Sequence, residues 1–239
     1  MGLARALSKM GYCSRSQASV LIRAGRVTRN GRILRDPKRT VQMPQDRIEV
    51  DGSPLDKAPP IYLAMNKPRG IVTTASDEQG RKTVYDLLDP KLPWVAPVGR
   101  LDKASEGLLL LSNDSEWAAK IADPSSHLDK KYHVQVDCIA DTYLLAKITR
   151  GQTVAGEHLR AKNTRLLRHG VKNSWLEITL DEGRNRQIRR LLEALQVRVL
   201  RLLRVSIGPL ELGNLKKGET RPLTSEEKKA ISLALSTLQ

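Results

Sequence analysis

At the front of the chain, apolar residues recur three and four positions apart: Leu3, Ala6, Leu7 and Met10. That spacing puts them on one stripe of a helix, and Gly11 supplies the stop. A second helix is predicted from Ser14, with Gln17 as its capping-box partner; it turns Ala18, Leu21 and Ile22 inward and ends at Gly25. The period then changes. Val27 to Arg29 and Arg32 to Leu34 flank Asn30-Gly31, a strong signal for a two-residue hairpin turn. One more strand is predicted over Arg47 to Val50, ahead of Asp51-Gly52. Residues 53–60, SPLDKAPP, are rich in Pro and mark a boundary between two units.

Past that connector, Ile61, Leu63 and Met65 alternate with Tyr62 and Ala64, so a strand runs up to Asn66-Lys67-Pro68. Residues 69–82 read as a polar surface loop, and Thr83 to Leu88 as a short helix halted by Pro90 and Pro93. Leu108 to Leu111 form an unbroken apolar run between Gly107 and Ser112-Asn113-Asp114, which predicts a short strand buried on both faces. Residues 113–115 offer caps for a helix through Trp117 and Ile121 that Pro124 ends. Tyr132, Val134 and Val136 alternate along a strand with Tyr132 at its entrance, and Asp141 to Arg150 is helical, closed by Gly151. Thr153 to Leu167 is polar and strand-like, and Trp175 to Leu180 alternates with Leu176, Ile178 and Leu180 on one side. Ile188, Leu191, Leu192 and Leu195 define the apolar face of a helix. After Gly208-Pro209, Leu210 to Lys217 is loop or edge strand. Thr224 and Glu227 box the start of a last helix that turns Ile231, Leu235 and Leu238 inward. Strands and helices intermixed over short links predict an α+β unit with a mostly antiparallel sheet.

Charge alters this picture most. The 239 residues hold 41 Lys and Arg against 26 acids, a net of +15, which points to a polyanionic partner such as nucleic acid. Residues 1–50 alone hold 11 Lys/Arg and 3 Asp/Glu. Arg5, Lys9, Arg15 and Arg23 lie on the polar faces of the two small helices, and with Arg26 and Arg29 they are the candidate RNA contacts. Cys13 and Cys138 stand far apart, as expected in a reducing compartment without a disulfide framework. The four histidines, 127, 133, 158 and 169, show no metal-ligand spacing, so no metal is expected. No apolar run approaches the ~18 residues of a membrane span, and no signal-peptide core opens the chain. A cytoplasmic location is expected.

Two stretches carry candidate chemistry. In GRLDKASEGLLLLSND, residues 99–114, a lone Asp102 sits just ahead of the buried strand, in a loop pinned to the core. These residues alone leave open whether Asp102 turns the chain or meets a ligand. Residues 182–204 carry seven Arg. At ~100° per residue, Arg186 and Arg190 point towards solvent, where surface charge and RNA contact are equally open readings. Arg189 falls at the edge of the apolar face, placed to partner a buried acid.

RALSKMGYCSRSQASVLIRAGRVTRNGRIL followed by DRIEVDG, roughly residues 3–52, resembles the S4 RNA-binding domain. GRLDKASEGLLLLSND, KKYHV, DEGRNRQIRRLLEAL and VLRLLRVSIGPLELGNLKKGETRPLT resemble, in that order, segments of the bacterial ribosomal-RNA pseudouridine synthases of the RsuA group. Ser105 and Ser115 depart from that pattern, where Thr and Gly are usual. The resemblance implies an S4-like RNA-binding domain over residues 1–56 and a catalytic domain over 57–239, built on a mixed, mostly antiparallel β-sheet with flanking helices. It implies isomerisation of uridine to pseudouridine in ribosomal RNA or a ribosomal assembly intermediate, with no cofactor; a monomer is the default expectation. The resemblance maps the catalytic aspartate to Asp102, the active-site tyrosine to Tyr132, the arginine to Arg189 and an apolar pocket residue to Leu203. Arg100 is the candidate to fill the stack a flipped nucleotide leaves, and Arg184, Arg186 and Arg190 are candidates to hold the substrate. Two competitors stand beside this reading: a non-catalytic RNA-binding assembly factor, and a carboxylate-based RNA glycosidase or nuclease with Glu106 as its nearest second acid.

Overall fold

A computed structural model describes residues 1–75 and 77–237 of the chain. The front unit opens with α1 (Leu3–Lys9) and α2 (Arg15–Arg23), and both halves of the capping box between Ser14 and Gln17 are formed. Strands β1 (Val27–Arg29) and β2 (Arg32–Leu34) pair through Asn30-Gly31, both at positive φ as a type I′ turn demands. Then β3 (Ile48–Val50) and β4 (Ser53–Pro54) complete a sheet of order β2-β1-β3-β4. Leu3, Leu7, Ile22, Val27 and Ile48 form a core separate from the rest.

The larger unit runs β5 (Tyr62–Lys67), a 3₁₀ turn (Val84–Leu87), β6 (Ala96–Val98), β7 (Glu106–Ser112) and α3 (Ser115–Ala122). It continues with β8 (Lys130–Val136), α4 (Thr142–Arg150), β9 (Gln152–Val154), β10 (Glu157–Leu159) and β11 (Asn163–His169). Last come β12 (Ser174–Leu180), α5 (Gln187–Ala194), β13 (Val199–Ile207), β14 (Leu210–Glu211), β15 (Thr220–Pro222) and α6 (Ser225–Thr237). Nine strands form one sheet of order β11-β12-β8-β13-β7-β5-β15, with β14 on β13 and β6 on β7. Every pairing is antiparallel except β7 with β13.

All seven residues of β7 are buried. Leu109 and Leu111 enter one core with Val134, Leu176, Ile178 and Leu191; Leu108 and Leu110 enter a second with Ile121, Ile207 and Ile231. Each such leucine contributes about 1.5–3 kcal/mol by leaving water. Strand β5 beside it is buried on both faces from Leu63 onward, so its alternation distinguishes two cores and not inside from outside.

Some expectations needed correction. The helix expected over 83–88 is a single 3₁₀ turn, capped by Thr83 and Asp86. The stretch 153–167 is no single strand: its chain reverses at Ala155-Gly156 between β9 and β10 and turns again into β11. Leu238 lies outside the described residues. Gly107 does not bound the leucine strand but lies inside it, at φ +103°. A Cβ there would collide with the backbone N and O of Arg204 on β13, so glycine is what lets the two parallel strands close.

The two units touch. Lys9 pairs with Glu116 at 3.1 Å, Ala58 N donates to Met10 O at 3.1 Å and Trp94 N to Gly11 O at 3.0 Å.

Substituting Gly107→Ala should lower unfolding free energy by about 2 kcal/mol or more, through strain and overpacking together. A urea midpoint unchanged from the parent's would show that the β7–β13 contact yields easily.

Candidate active site

Asp102 stands in the loop between β6 and β7, and that loop is held from all sides. Ser105 N donates to Asp102 O at 2.9 Å, Thr73 Oγ1 to Leu101 O at 2.8 Å and Gly70 N to Lys103 O at 2.7 Å. The strongest tie comes from Lys67, at the end of β5. Its side chain is fully buried, and Nζ donates to Asp102 O at 3.2 Å, Ser105 O at 3.0 Å and Pro68 O at 3.1 Å. Burial pushes this ammonium down to about 8, while Asp102 and Glu106 pull it back up. At neutral pH it stays charged and keeps all three donors. Sequence reasoning missed Lys67, because Asn66-Lys67-Pro68 reads only as a strand stop.

The Asp102 side chain, one-third exposed, lines a cleft with Leu101, Tyr132, Leu180, Ile188, Leu202 and Arg204. Tyr132 is 9% exposed and shares its face of the sheet with Leu202 and Arg204. Arg100 is exposed at the rim between this cleft and a polar one lined by Thr73, Asp77, Glu78 and Arg81. Arg184 is also at the rim, paired with Glu182 at 2.9 Å and donating to His158 O at 3.2 Å. Buried Gln187 braces this segment through Glu182, Arg160 O and Arg184 N.

The arginines depart from the helical wheel. The cation paired with Asp102 is Arg186, at 3.5 Å, and not Arg189. Helix α5 starts only at Gln187, and Arg186 is its N-cap in the left-handed region, so the 100° rule does not govern its direction. Arg189 is half-buried as expected, but its Nη2 donates to Ala104 O at 3.0 Å and its Nε has no partner among the described residues. It therefore grips the aspartate's loop and not its carboxylate. Arg190 turns away from solvent to Glu157 at 2.6 Å and to Val154 O, tying α5 to the β9–β10 hairpin.

Leu203 does not line the cleft. It packs against the second core on the far face of the sheet, and Leu202 takes the pocket position. Neighbouring residues in a strand face opposite ways, and a bulge follows Val199, so a one-residue offset reverses the assignment. Two cations unforeseen in the sequence join the lining, one buried and one half-buried. Arg204 is 5% exposed, with Nε donating to Leu108 O at 2.7 Å; Lys130 Nζ donates to Leu128 O at 2.7 Å. Burial lowers the Lys130 ammonium, and the charge of Arg204 pushes the same way.

Glu106 is 2% exposed and shares a face with Leu108 and Leu110, away from Asp102. Arg201 at 2.9 Å and Lys217 at 2.7 Å pair with it. Burial alone would raise its carboxyl, yet these two cations hold it below the usual range. Among the described residues, Asp102 is the single acid lining the cleft.

On the front unit, Arg5, Arg15 and Arg23 are exposed. Arg5 and Arg15 border a groove that reaches Val98 and Gly99 beside the cleft. Lys9 spans the two units through Glu116, Arg26 pairs with Asp51, and Arg29 lies 3.7 Å from Asp46. No helix among the described residues is long and apolar enough to cross a membrane.

Residues 61–194 match the RNA pseudouridylate synthase family model, and residues 1–57 match the S4 domain. Ribosomal large subunit pseudouridine synthase B of Bacillus subtilis (strain 168) is 36% identical over 231 residues, covering 96% of this chain and 94% of the relative. The protein of that name from Shigella flexneri is 38% identical over 218 residues, covering 88% of this chain and 74% of the relative. The fold superposes on a crystal structure of a pseudouridylate synthase with a TM-score of 0.68 at 30% identity, covering 97% of this chain and 99% of that one. With a family match across more than half its length and relatives that run nearly end to end, this chain belongs to the RNA pseudouridylate synthases and carries an S4 domain in front.

Proposed function

We propose that this enzyme converts uridine to pseudouridine in large-subunit ribosomal RNA, acting as a cytoplasmic monomer, with Asp102 as the catalytic carboxylate. The observation that carries this reading is a lone acid in a largely apolar cleft, set beside Tyr132 and faced by Arg186. The Bacillus relative, named for the large subunit, supports the choice of RNA. We divide the work between residues 1–56, which hold RNA, and 57–239, which do the chemistry.

A uridine within a helix cannot reach such a cleft, so the nucleotide is turned out of its stack at a cost of a few kcal/mol. Arg100 at the rim fills the space it leaves. Tyr132 stacks on the base, and Leu202 with Leu180 closes the floor against water. The N1–C1′ bond then breaks, and Asp102 meets the electron-poor sugar or the ring. The base turns and rejoins through C5. Arg186 offsets the cost of a carboxylate in a half-dry site. Arg189 and Lys67 hold its loop by the backbone, and Arg184 and Arg190 order the segment that carries Arg186. The glycosidase and nuclease alternatives lack a second acid, because Glu106 faces the other core. Along the front unit, Arg5, Arg15 and Arg23 suit phosphate contacts, since A-form RNA hides its bases from side chains.

Asp102→Asn should bind ribosomal RNA with nearly the parent's affinity and form no pseudouridine; near-normal turnover would refute the assignment. Carbodiimide mapping of ribosomal RNA from a strain lacking this protein should lose a pseudouridine from the large subunit. An unchanged map there would move the substrate elsewhere. Lys67→Met should slow turnover roughly 10–100-fold by loosening the loop, with RNA affinity kept; turnover equal to the parent's would show that the loop holds without it. Replacing Arg5, Arg15 and Arg23 together by Gln should reduce the slope of log affinity against log salt by about 2 to 3. A slope equal to the parent's would remove those side chains from the interface.

A further inference from the structure

Arg204 is an arginine without an anion. Its residue is 5% exposed, Nε is used on Leu108 O, and Nη2 is buried with no hydrogen-bond partner among the described residues. It lines the cleft beside Tyr132, its cross-strand neighbour, and no carboxylate pairs with it among the described residues. Two more ammonium groups, buried Lys67 and half-buried Lys130, feel its charge. Burying a guanidinium with a spare N–H and no counter-ion is costly, and a fold does so where something bound repays it. Backbone phosphates are poor candidates. Arg100, Arg184 and Arg186 are exposed at the mouth of the cleft, where a phosphate can reach, whereas Arg204 is buried.

We infer that Arg204 holds the uracil by a ring carbonyl once it has left the sugar, its guanidinium donating to an oxygen where negative charge collects. This rests on the synthase reading above and assigns that site a group for the leaving base. When N1–C1′ breaks heterolytically, the bonding pair stays on the base, which becomes a uracil anion with charge shared by N1, O2 and O4. C1′ is left electron-poor, facing Asp102. On reattachment, ring electrons at C5 form the C5–C1′ bond, the C5 hydrogen leaves as a proton and N1 takes one up. No atom or electron is gained or lost. A guanidinium donates more strongly to the anion than to the neutral base, so Arg204 favours the broken-bond state over bound uridine. Lys130 and Lys67 add positive potential behind it.

A leaving-group comparison tests this. Full-length enzyme, in excess, is mixed with unmodified ribosomal RNA transcribed with uridine or with 5-fluorouridine, and loss of the N-glycoside is followed by mass spectrometry of the digested RNA. Fluorouracil is the more acidic base, so its anion needs less help. Arg204→Met should bind RNA like the parent, lose roughly 10²–10³-fold in rate on uridine, and lose clearly less on 5-fluorouridine. Arg204→Lys, which keeps a charge and a donor, should recover part of the loss. The thermal midpoint of the Met variant should not fall, since an uncompensated buried cation has gone. Equal losses on the two RNAs, with the parent active, would sink this inference alone. Should the Met variant not fold, the Lys variant decides on the same comparison, with equal losses again overturning the role. A parent inert on uridine RNA would sink the synthase reading and this inference with it.

Discussion

The site depends on one ammonium group. Lys67 spends its three donors on the carbonyls of Pro68, Asp102 and Ser105, and so fixes where the loop after β6 can place an aspartate. A buried lysine is expensive, and its lowered proton affinity records that cost. It is tolerated because the carbonyls of a tight loop would otherwise be short of donors in a dry interior. Arg189 repeats the device from the opposite side by holding Ala104 O. The aspartate is thus placed through its backbone, and its carboxylate stays available for chemistry.

That arrangement needs a rigid frame, which β7 and β13 supply. Gly107 allows the one parallel pair in the sheet to close, and the leucines that follow fill cores on both sides. Loop, tyrosine and floor are therefore anchored to neighbouring strands of one sheet. Cations gather around them: Arg186 at the carboxylate, Lys67 beneath the loop, Lys130 and Arg204 at the floor. With Asp102 the single acid lining the cleft among the described residues, the local field favours negative charge. The cations thus fall into two groups, exposed arginines on the front unit and buried or half-buried cations around the cleft.

Much of this was legible in the residues. Capping boxes at Ser14 and Thr224, the Asn30-Gly31 turn and the leucine run of β7 report interactions between residues a few places apart, and each formed as expected. Asp102 and Tyr132 were found through family likeness and do share a cleft. Other readings failed where a local rule met an exception. Arg186 escaped the helical wheel because the helix begins one residue later, and Leu203 gave way to Leu202 because the motif did not fix the phase of a bulged strand. Arg204 carried no signal, being one of seven arginines in its segment.

The sequence by itself determined most of the elements, the two-unit order and the basic front, because periodicity, caps and turns act over a few residues and survive without context. Only the tertiary structure decided which cation meets Asp102, which leucine floors the cleft and that Lys67 and Arg204 are buried there. Those outcomes depend on strands distant in sequence becoming neighbours, and on the face a side chain takes once they do.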